Sequence, residues 1–459
     1  MQGEGDFKMP QEKYVFVYGA GISGCGVAEV LTKNGQKVLL YNDSEKSLPQ
    51  EFLNLLYSGN GQYICGKNAE DYLRQADLFV VSPGISMRST LVQKAIAAGI
   101  EVIGEVEVAA RLYKGKLIAI TGTNGKTTTT TLVGEMIKTL PVKTAVGGNI
   151  GQALSVEMQG LGKDDWLVAE LSSFQLEAVT SLKPDIAAIL NVTPDHLDRH
   201  GSMEEYAKAK ANIFARQTAE DYLILNIDDK IVADFAKTAK ATICYISRKK
   251  QLEQGVFLAD GNFVLAWNGE RKTICPIKEM KIFGAHNEEN ALVAIACAFF
   301  AGVAEDKIRA VLTSFEGVEH RLEYVTTLDG VAYYNDSKAT NPDSTIKALE
   351  SFAGHIILLA GGRDKKTDLK DMMALIKTKT DALILMGEAK ERFLQAAETA
   401  GVQNIHVVDT FDEAVMLAHR LASPPQVVVL SPACSSFDMF ENFPHRGRYF
   451  KELVRKLEK

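Results

Sequence analysis

Thr121-Gly122-Thr123-Asn124-Gly125-Lys126-Thr127-Thr128 packs two glycines, a lysine and several hydroxyls into eight residues. The apolar run Leu117–Ile120 leads in, and a helix-compatible stretch from Thr129 to Thr139 leads out. Strand, glycine loop, Lys-Thr and helix form the layout of a phosphate-binding loop. Glycines let backbone N–H groups turn inward around phosphate oxygens. The helix N-terminus and the lysine supply positive charge, and a hydroxyl after the lysine can hold Mg²⁺. The common pattern is G-x-x-x-x-G-K-[ST]. Here only Thr123 and Asn124 separate the first glycine from Gly125-Lys126, so the loop is a short variant.

Two further apolar runs end in ionisable residues. Trp166–Ala169 ends at Glu170, the type and place of a metal-holding carboxylate in phosphate-loop enzymes. Ile186–Leu190 runs into Asn191 and then Asp195-His196-Leu197-Asp198-Arg199-His200, a cluster suited to metal or phosphate work. Ser202-x-x-Glu205 signals the start of the next helix. Its apolar face carries Met203, Tyr206, Ala207, Ile213 and Phe214, and Lys210 falls in the middle of that face. A charged lysine on a buried face is costly unless it is paired or loses its charge. Two readings stand: the stem snorkels to water, or the charge is removed in a way that serves the phosphate site.

The elements that must carry these residues read as α/β throughout. Tyr14–Tyr18 precedes Gly19-x-Gly21-x-x-Gly24, and a second strand ends at Asp43. That is the dinucleotide fingerprint, which favours a nucleotide diphosphate of some kind over NAD in particular and also suits a Rossmann-like domain that binds something else or nothing. Leu78–Val81 ends in Ser82-Pro83-Gly84 at the same sheet edge. Short strand-like runs alternate with polar turns from Ala219 to Glu279. A long Ala-rich helix then opens with Asn287 and Asn290 one turn apart, placed either to cap it or to read a base edge. From about Glu319 strands and helices alternate again. The strand ends there carry Asn335–Asn341, Gly361–Lys365 and Ser431–Asp438.

The 459 residues exceed one core, so several domains are expected. The chain is 46% hydrophobic and 24% charged, as in soluble globular proteins. No run reaches membrane-spanning length and no leader opens the chain, so a cytoplasmic protein without membrane insertion is expected. A net charge of −7 argues against a nucleic-acid partner. Six cysteines lack C-x-x-C spacing and indicate neither zinc nor disulfides. Residues 1–12, polar and glycine-rich, are expected to fray.

Taken in order, Gly122–Thr127, Glu170, Asn191-x-x-x-Asp195-His196-x-Asp198, His286-Asn287-x-x-Asn290, His320-Arg321 and Asp336–Asn341 resemble the Mur ligases, ATP-dependent amino-acid ligases of peptidoglycan synthesis. Ser431–Asp438, Asn442-Phe443-x-x-Arg446-Gly447 and the Gly-rich first domain are most similar to the D-glutamate-adding branch. The resemblance runs from about Tyr14 to the C-terminus. It implies a Rossmann-like domain for the UDP-linked substrate (1–108), a central ATPase domain (109–318) and a Rossmann-like amino-acid domain (319–459).

The implied substrates are ATP, UDP-N-acetylmuramoyl-L-alanine and D-glutamate, joined through an acyl phosphate, with two Mg²⁺ ions and a monomeric enzyme. By the same match Gly122, Thr123, Asn124, Gly125, Lys126, Thr127 and Thr128 cradle ATP, with Asn287 and Asn290 at adenine and Arg321 and Asp336 at phosphate or ribose. Thr127 and Glu170 hold one Mg²⁺, and His196 with a carbamylated Lys210 holds the other. Lys126, Glu170, His196 and Lys210 form the catalytic set. Ile22, Ser23, Asp43, Ser82, Pro83 and Gly84 meet the UDP part, and Asn149 the sugar–peptide part. Lys338, Thr340, Lys365, Ser436, Phe437 and Phe443 frame D-glutamate, with Lys366 beside Lys365 as the competing lysine. Four other readings are a different Mur ligase, disfavoured by the C-terminal strand-end set, a folylpolyglutamate synthase, disfavoured by the Gly-rich first domain, a dehydrogenase using Gly19–Gly24, and a non-catalytic nucleotide-binding regulator. The dehydrogenase leaves Lys126, Glu170 and His196 unused.

Overall fold

The computed structural model describes residues 13–66 and 68–458; residues 1–12 lie outside them. The chain divides into two compact units. One runs to Glu279 and adds Glu289–Ser314; the other is Met280–Glu288 with Phe315–Lys459. Each is described by itself.

The first unit contains two sheets. In the first, β1 (Tyr14–Tyr18), β2 (Val38–Asn42), β3 (Gln62–Cys65), β4 (Ala76–Val81) and β5 (Glu101–Gly104) take the order β3-β2-β1-β4-β5. All pairs are parallel. The central strands are continuous apolar runs because helices cover both faces. Val15, Val17, Leu40 and Val80 pack on one side, and Phe16, Leu39 and Phe79 on the other. Gly24, opening the helix Ile22–Lys33, has a packing role: a Cβ there would sit 1.7 Å from the Gly19 carbonyl oxygen.

The second sheet holds β6 (Lys116–Thr121), β7 (Thr144–Gly148), β8 (Trp166–Glu170), β9 (Ile186–Ile189), β10 (Tyr222–Asn226), β11 (Thr242–Ser247), β12 (Gly255–Ala259), β13 (Asn262–Trp267) and β14 (Glu270–Pro276). Their order is β14-β13-β12-β11-β10-β9-β6-β8-β7. Pairing is parallel up to β12 and antiparallel beyond it. The two hairpins turn at Asp260-Gly261 and Asn268-Gly269, with φ of 51° and 72°, then 51° and 82°. Two positive φ values in a two-residue loop suit Asp-Gly and Asn-Gly and match the twist of the strands.

The second unit is built on β15 (Glu323–Leu328), β16 (Val331–Asn335), β17 (Ile356–Gly361), β18 (Thr380–Met386), β19 (Ile405–Val407) and β20 (Val427–Leu430), ordered β15-β16-β20-β17-β18-β19. Only β15 is antiparallel.

One rule relates the three sheets. The strands whose carboxyl ends carry the chemistry are neighbours: β2-β1-β4, β9-β6-β8 and β16-β20-β17. Open α/β sheets bind ligands at such carboxyl edges. No helix among the described residues is long and apolar enough to cross a membrane.

Candidate active site

β6 ends at Thr121, and the helix expected from Thr129 opens earlier, at Lys126. Gly125 precedes it with φ 84°. A side chain is excluded there, since a Cβ would lie 2.2 Å from Asn290 Oδ1. The loop is braced from β9. Asn124 N–H donates to Asn191 Oδ1 (2.8 Å), and Asn191 Nδ2 donates back to the Asn124 carbonyl (3.1 Å). Thr123 Oγ1 accepts from Thr193 N–H (3.0 Å) and lies 3.1 Å from the Tyr206 hydroxyl. Lys126 Nζ donates to the carbonyls of Gly122 (2.9 Å) and Thr123 (2.8 Å). Thr127 and Thr128 are buried in the first helical turn. Thr129 Oγ1 donates to Asn290 Oδ1 at 3.2 Å.

Glu170 sits opposite Ile120 in the register of β6 and β8 and is 1% exposed. Asn149 donates through Nδ2 to Glu170 Oε1 (2.7 Å) and through its backbone N–H to the Glu170 carbonyl (2.8 Å). Oε2 is buried without a hydrogen-bond partner among the described residues. A buried carboxylate oxygen left without a donor calls for a cation, so this end of β8 fits a metal ligand.

The cluster after β9 divides. His196, at φ 53°, packs edge-on against Phe174 (4.8 Å between centroids) and keeps Asp195 Oδ2 3.6 Å from Nε2. Arg199 and His200 pack on the same Phe174 ring and take further partners. Arg199 donates to the carbonyls of Pro83 (2.7 Å) and Ile85 (3.1 Å) and pairs with Glu177 (2.8 Å). His200 lies 3.2 Å from Glu177 and 3.0 Å from Ser173 Oγ. Arg199 thus fastens the loop after β4 to the second sheet, while the His200 ring shares Phe174 with His196 and lies 5.1 Å from the Tyr206 ring. The Asp198 side chain lies outside the described residues.

Lys210 departs from the ordinary surface behaviour of a lysine. Ser202 caps its helix through Oγ, which accepts from Glu205 N–H (3.2 Å). Tyr206, Ala209 and Lys210 form the buried face of Met203–Ala211. Lys210 is 1% exposed, so the snorkelling alternative fails. Its Nζ donates to the Gly122 carbonyl (2.8 Å), which Lys126 also uses, and lies 4.6 Å over the Tyr206 ring. Among the described residues no carboxylate is within ion-pair distance of it. Burial pushes its pKa well below the ordinary 10.5, the charge of Lys126 pushes the same way, and Asp195 opposes.

At the carboxyl edge of the first sheet, Asp43 accepts from the Tyr18 hydroxyl through both oxygens (2.8 Å). Ser82 Oγ donates to the Gly19 carbonyl (3.0 Å). Ile22 is 79% exposed, Ser23 is half-buried and Gly84 is exposed beside the half-buried Pro83. Asp43, Ser82 and the glycine loop thus share one edge.

In the second unit Asp336 is buried, accepting from Ser431 Oγ (2.7 Å) and Leu322 N–H (3.2 Å). Burial raises its pKa to about 6; Arg321 pulls the other way. Ser436 is buried and its Oγ has no hydrogen-bond partner among the described residues. Lys338 Nζ lies 5.7 Å over the Phe443 ring. Thr340 is half-buried, and Phe437, Lys365 and Lys366 are exposed. Beneath these loops lies Arg446, 0% exposed, donating to Ser337 Oγ (2.9 Å), the Ser337 carbonyl (2.8 Å) and the Cys434 carbonyl (3.1 Å). Asn287, on the helix Ala285–Phe300, donates through Nδ2 to the Phe283 carbonyl at 2.9 Å. Glu319, His320 and Glu323 cluster as metal ligands do. Lys451 already supplies a cation there, 2.6 Å from Glu319 and 2.8 Å from Glu323.

Comparison with known proteins matches residues 13–104 to the MurD-like N-terminal domain of Mur ligases, 120–298 to the Mur ligase middle domain and 320–434 to the Mur ligase glutamate ligase domain. The chain is 43% identical over 447 residues to the UDP-N-acetylmuramoylalanine–D-glutamate ligase of Pelotomaculum thermopropionicum, covering 97% of this chain and 98% of that one. It belongs to the Mur ligase family. The protein of the same name from Caldanaerobacter subterraneus is 42% identical over 451 residues, 98% of this chain and 99% of that one. Among solved structures, UDP-N-acetylmuramate-alanine ligase from Thermotoga maritima aligns with TM-score 0.60 and 19% identity, covering 97% of this chain and 99% of that one. The pseudomurein peptide ligase type C of Methanothermus fervidus gives 0.59 and 17%, covering 97% and 100%. At such identities these structures bear on the fold alone. Within this Mur ligase, sequence reasoning passed over the bracing roles of Asn191 and Tyr206. Arg446 entered it only as a motif position. The signals were a polar residue directly after a buried strand and a tyrosine on the Lys210 helix face.

Proposed function

We propose that the chain is an ATP-dependent ligase that joins D-glutamate to the alanine carboxylate of UDP-N-acetylmuramoyl-L-alanine, in peptidoglycan precursor synthesis. The observation that carries this reading is the 41–44% identity, over nearly the whole chain, to relatives of that name. The three-domain division at about 108 and 318 assigns the UDP-linked substrate to the first sheet, ATP to the second and D-glutamate to the third. Action as a monomer fits, since one chain supplies residues for all three substrates. A cytoplasmic setting, where ATP is at hand, belongs to the same proposal.

The alanine carboxylate is a poor electrophile. Transfer of the γ-phosphoryl group converts it to an acyl phosphate and gives ADP. The D-glutamate amine then attacks the acyl carbon, and the tetrahedral intermediate expels phosphate. Both steps crowd anions together, so positioned cations and donors do most of the catalysis. In this reading Lys126 leaves the Gly122 and Thr123 carbonyls to meet the β- and γ-phosphates, while the amides of residues 122–128 surround them. Asn287 and Asn290 meet adenine; Arg321 and Asp336 meet phosphate or ribose.

Thr127 and Glu170 would hold one Mg²⁺, for which the unpartnered Glu170 oxygen is suited, and His196 with modified Lys210 a second. Bound Mg²⁺ supplies charge neutralisation and polarises the phosphoryl group. Lys210 becomes a ligand as a carbamate: its neutral amine attacks CO₂, an N–C bond forms and a proton leaves to solvent. The lowered pKa, and the absence among the described residues of a carboxylate within ion-pair distance, support this, because the product is an anion at a site that disfavours the cation. Ile22, Ser23, Asp43 and Ser82–Gly84 hold UDP, and Asn149 meets the sugar–peptide part beside Glu170. Lys338, Thr340, Lys365, Ser436, Phe437 and Phe443 frame D-glutamate.

The test gives purified protein ATP, Mg²⁺ and UDP-N-acetylmuramoyl-L-alanine, and follows phosphate release with D-glutamate, L-lysine, meso-diaminopimelate or no amino acid. D-Glutamate alone is expected to drive sustained release. Equal release with all four additions would overturn the reading.

A further inference from the structure

The loop Gly361–Thr367 follows β17 and carries Lys365 at its tip. Its first residues are fixed by backbone contacts. Arg363 N–H donates to the Ser435 carbonyl (2.9 Å), and Ala389 N–H donates to the Gly362 carbonyl (2.8 Å). Beyond Arg363 the sheet gives no support, and the side chain of Asp364 takes over. Asp364 Oδ1 accepts from Lys366 N–H (2.8 Å), closing an Asx turn around Lys365 with Lys366 at φ 53°. The same carboxylate receives Arg392 through both oxygens: Nε donates to Oδ2 (2.8 Å) and Nη2 to Oδ1 (2.7 Å). The third nitrogen, Nη1, donates to the Thr367 carbonyl (3.0 Å). One guanidinium therefore grips both ends of the four-residue turn.

Arg392 lies in the first turn of the helix Lys390–Ala400. A cation there opposes the helix dipole, so its place is not explained by the helix that carries it. The same stretch braces a second loop, since Glu388 N–H donates to Asp438 Oδ2 (3.0 Å) in the loop after β20. The side chains of Arg392 and Asp364 are 33% and 17% exposed. Paired forks of this kind add geometric constraint as well as attraction.

We propose that Arg392 is a positioning residue for the amino-acid substrate: it sets the turn Asp364–Thr367 so that Lys365 is presented at a fixed place to a substrate carboxylate. This rests on the assignment of Lys365 to D-glutamate. Arg392 touches no substrate; it acts through Asp364.

The test measures KM for each of the three substrates, kcat and the thermal midpoint in Arg392→Gln, Arg392→Lys, Asp364→Asn, the double variant D364N/R392Q and Lys365→Ala. Asp364→Asn keeps the acceptor for Lys366 N–H and removes the ion pair, so it stands if Arg392→Gln folds poorly. Both single variants are expected to raise KM for D-glutamate about tenfold, leaving KM for ATP and for the UDP-linked substrate within about twofold. The double variant should be no worse than either single one, and Arg392→Lys should fall between wild type and Arg392→Gln. A D-glutamate KM within about twofold of wild type in folded Asp364→Asn, with Lys365→Ala impaired, would overturn the clamp. An unaffected D-glutamate KM in Lys365→Ala would instead overturn the assignment on which it rests.

Discussion

Lys210 beneath the phosphate loop and Arg446 beneath the loops of the third sheet are both buried cations, and neither has a carboxylate within ion-pair distance among the described residues. Lys210 has one hydrogen bond, to a carbonyl it shares with Lys126. Arg446 makes three, to acceptors in two different loops. Burial drives Lys210 far below its ordinary pKa, with a second lysine adding to the push. It brings Arg446 only down to about 10, with Cys434, Asp438 and Asp336 holding it up. In the carbamate proposal the lysine is an amine that loses its proton and reacts, whereas the arginine remains a cation whose fork ties loops together. The difference separates a residue placed for chemistry from one placed for architecture.

The contrast breaks first at Lys210. Lys210→Ala is expected to lower kcat by at least about a hundredfold, and Lys210→Arg should not restore it, because arginine keeps the cation and cannot form the carbamate. A short-chain carboxylic acid should restore part of the alanine variant's activity, while bicarbonate should not. Protein equilibrated with ¹³C-bicarbonate should show a carbamate resonance by NMR that disappears in Lys210→Ala. Turnover unchanged in that variant would end the carbamate account.

Next in size is Glu170→Gln. Replacing the unpartnered oxygen by a donor should raise the Mg²⁺ concentration for half-maximal activity about tenfold or more. Magnesium titration of the initial rate reads this out. Arg446→Lys keeps the charge but gives up the fork. Losing about two of the three hydrogen bonds should cost ~2 kcal/mol of stability in denaturant unfolding, without removing the ¹³C signal assigned to Lys210.

Asp336 gives the effect with the clearest sign. Its folded pKa of about 6 is above the ordinary 3.8. The unfolded state therefore binds fewer protons between those values, and stability falls as pH rises through about 6. Asp336→Asn removes this dependence. The stability of the wild type relative to that variant should decline by up to ~3 kcal/mol from pH 4 to pH 7, measured by denaturant unfolding at a series of pH values.

Sequence reasoning reached the three sheets and most strand-end loops because buried parallel strands are continuous apolar runs and glycines punctuate them. Lys210 was legible for the same reason, since its helix register alone put a cation on an apolar face. Arg199 and His200 were not. Adjacency to His196 suggested one cluster, but not that the short helix Leu197–His200 also joins Arg199 to Glu177 and the loop after β4, and His200 to Glu177 and Ser173. The Arg392–Asp364 clamp spans 28 residues between a loop and the first turn of a helix, and no periodicity connects them. Arg446 stood in a recognisable motif, but its burial depends on loops from three strands that only folding brings together.

Activation of the substrate carboxylate by ATP, ahead of attack by D-glutamate, is the step on which the whole mechanism turns. It is tested most directly with UDP-N-acetylmuramoyl-L-alanine carrying ¹⁸O in its alanine carboxylate. One labelled oxygen is expected to pass into the released phosphate, with net release dependent on D-glutamate. Label-free phosphate formed alongside the D-glutamate adduct would contradict an acyl phosphate.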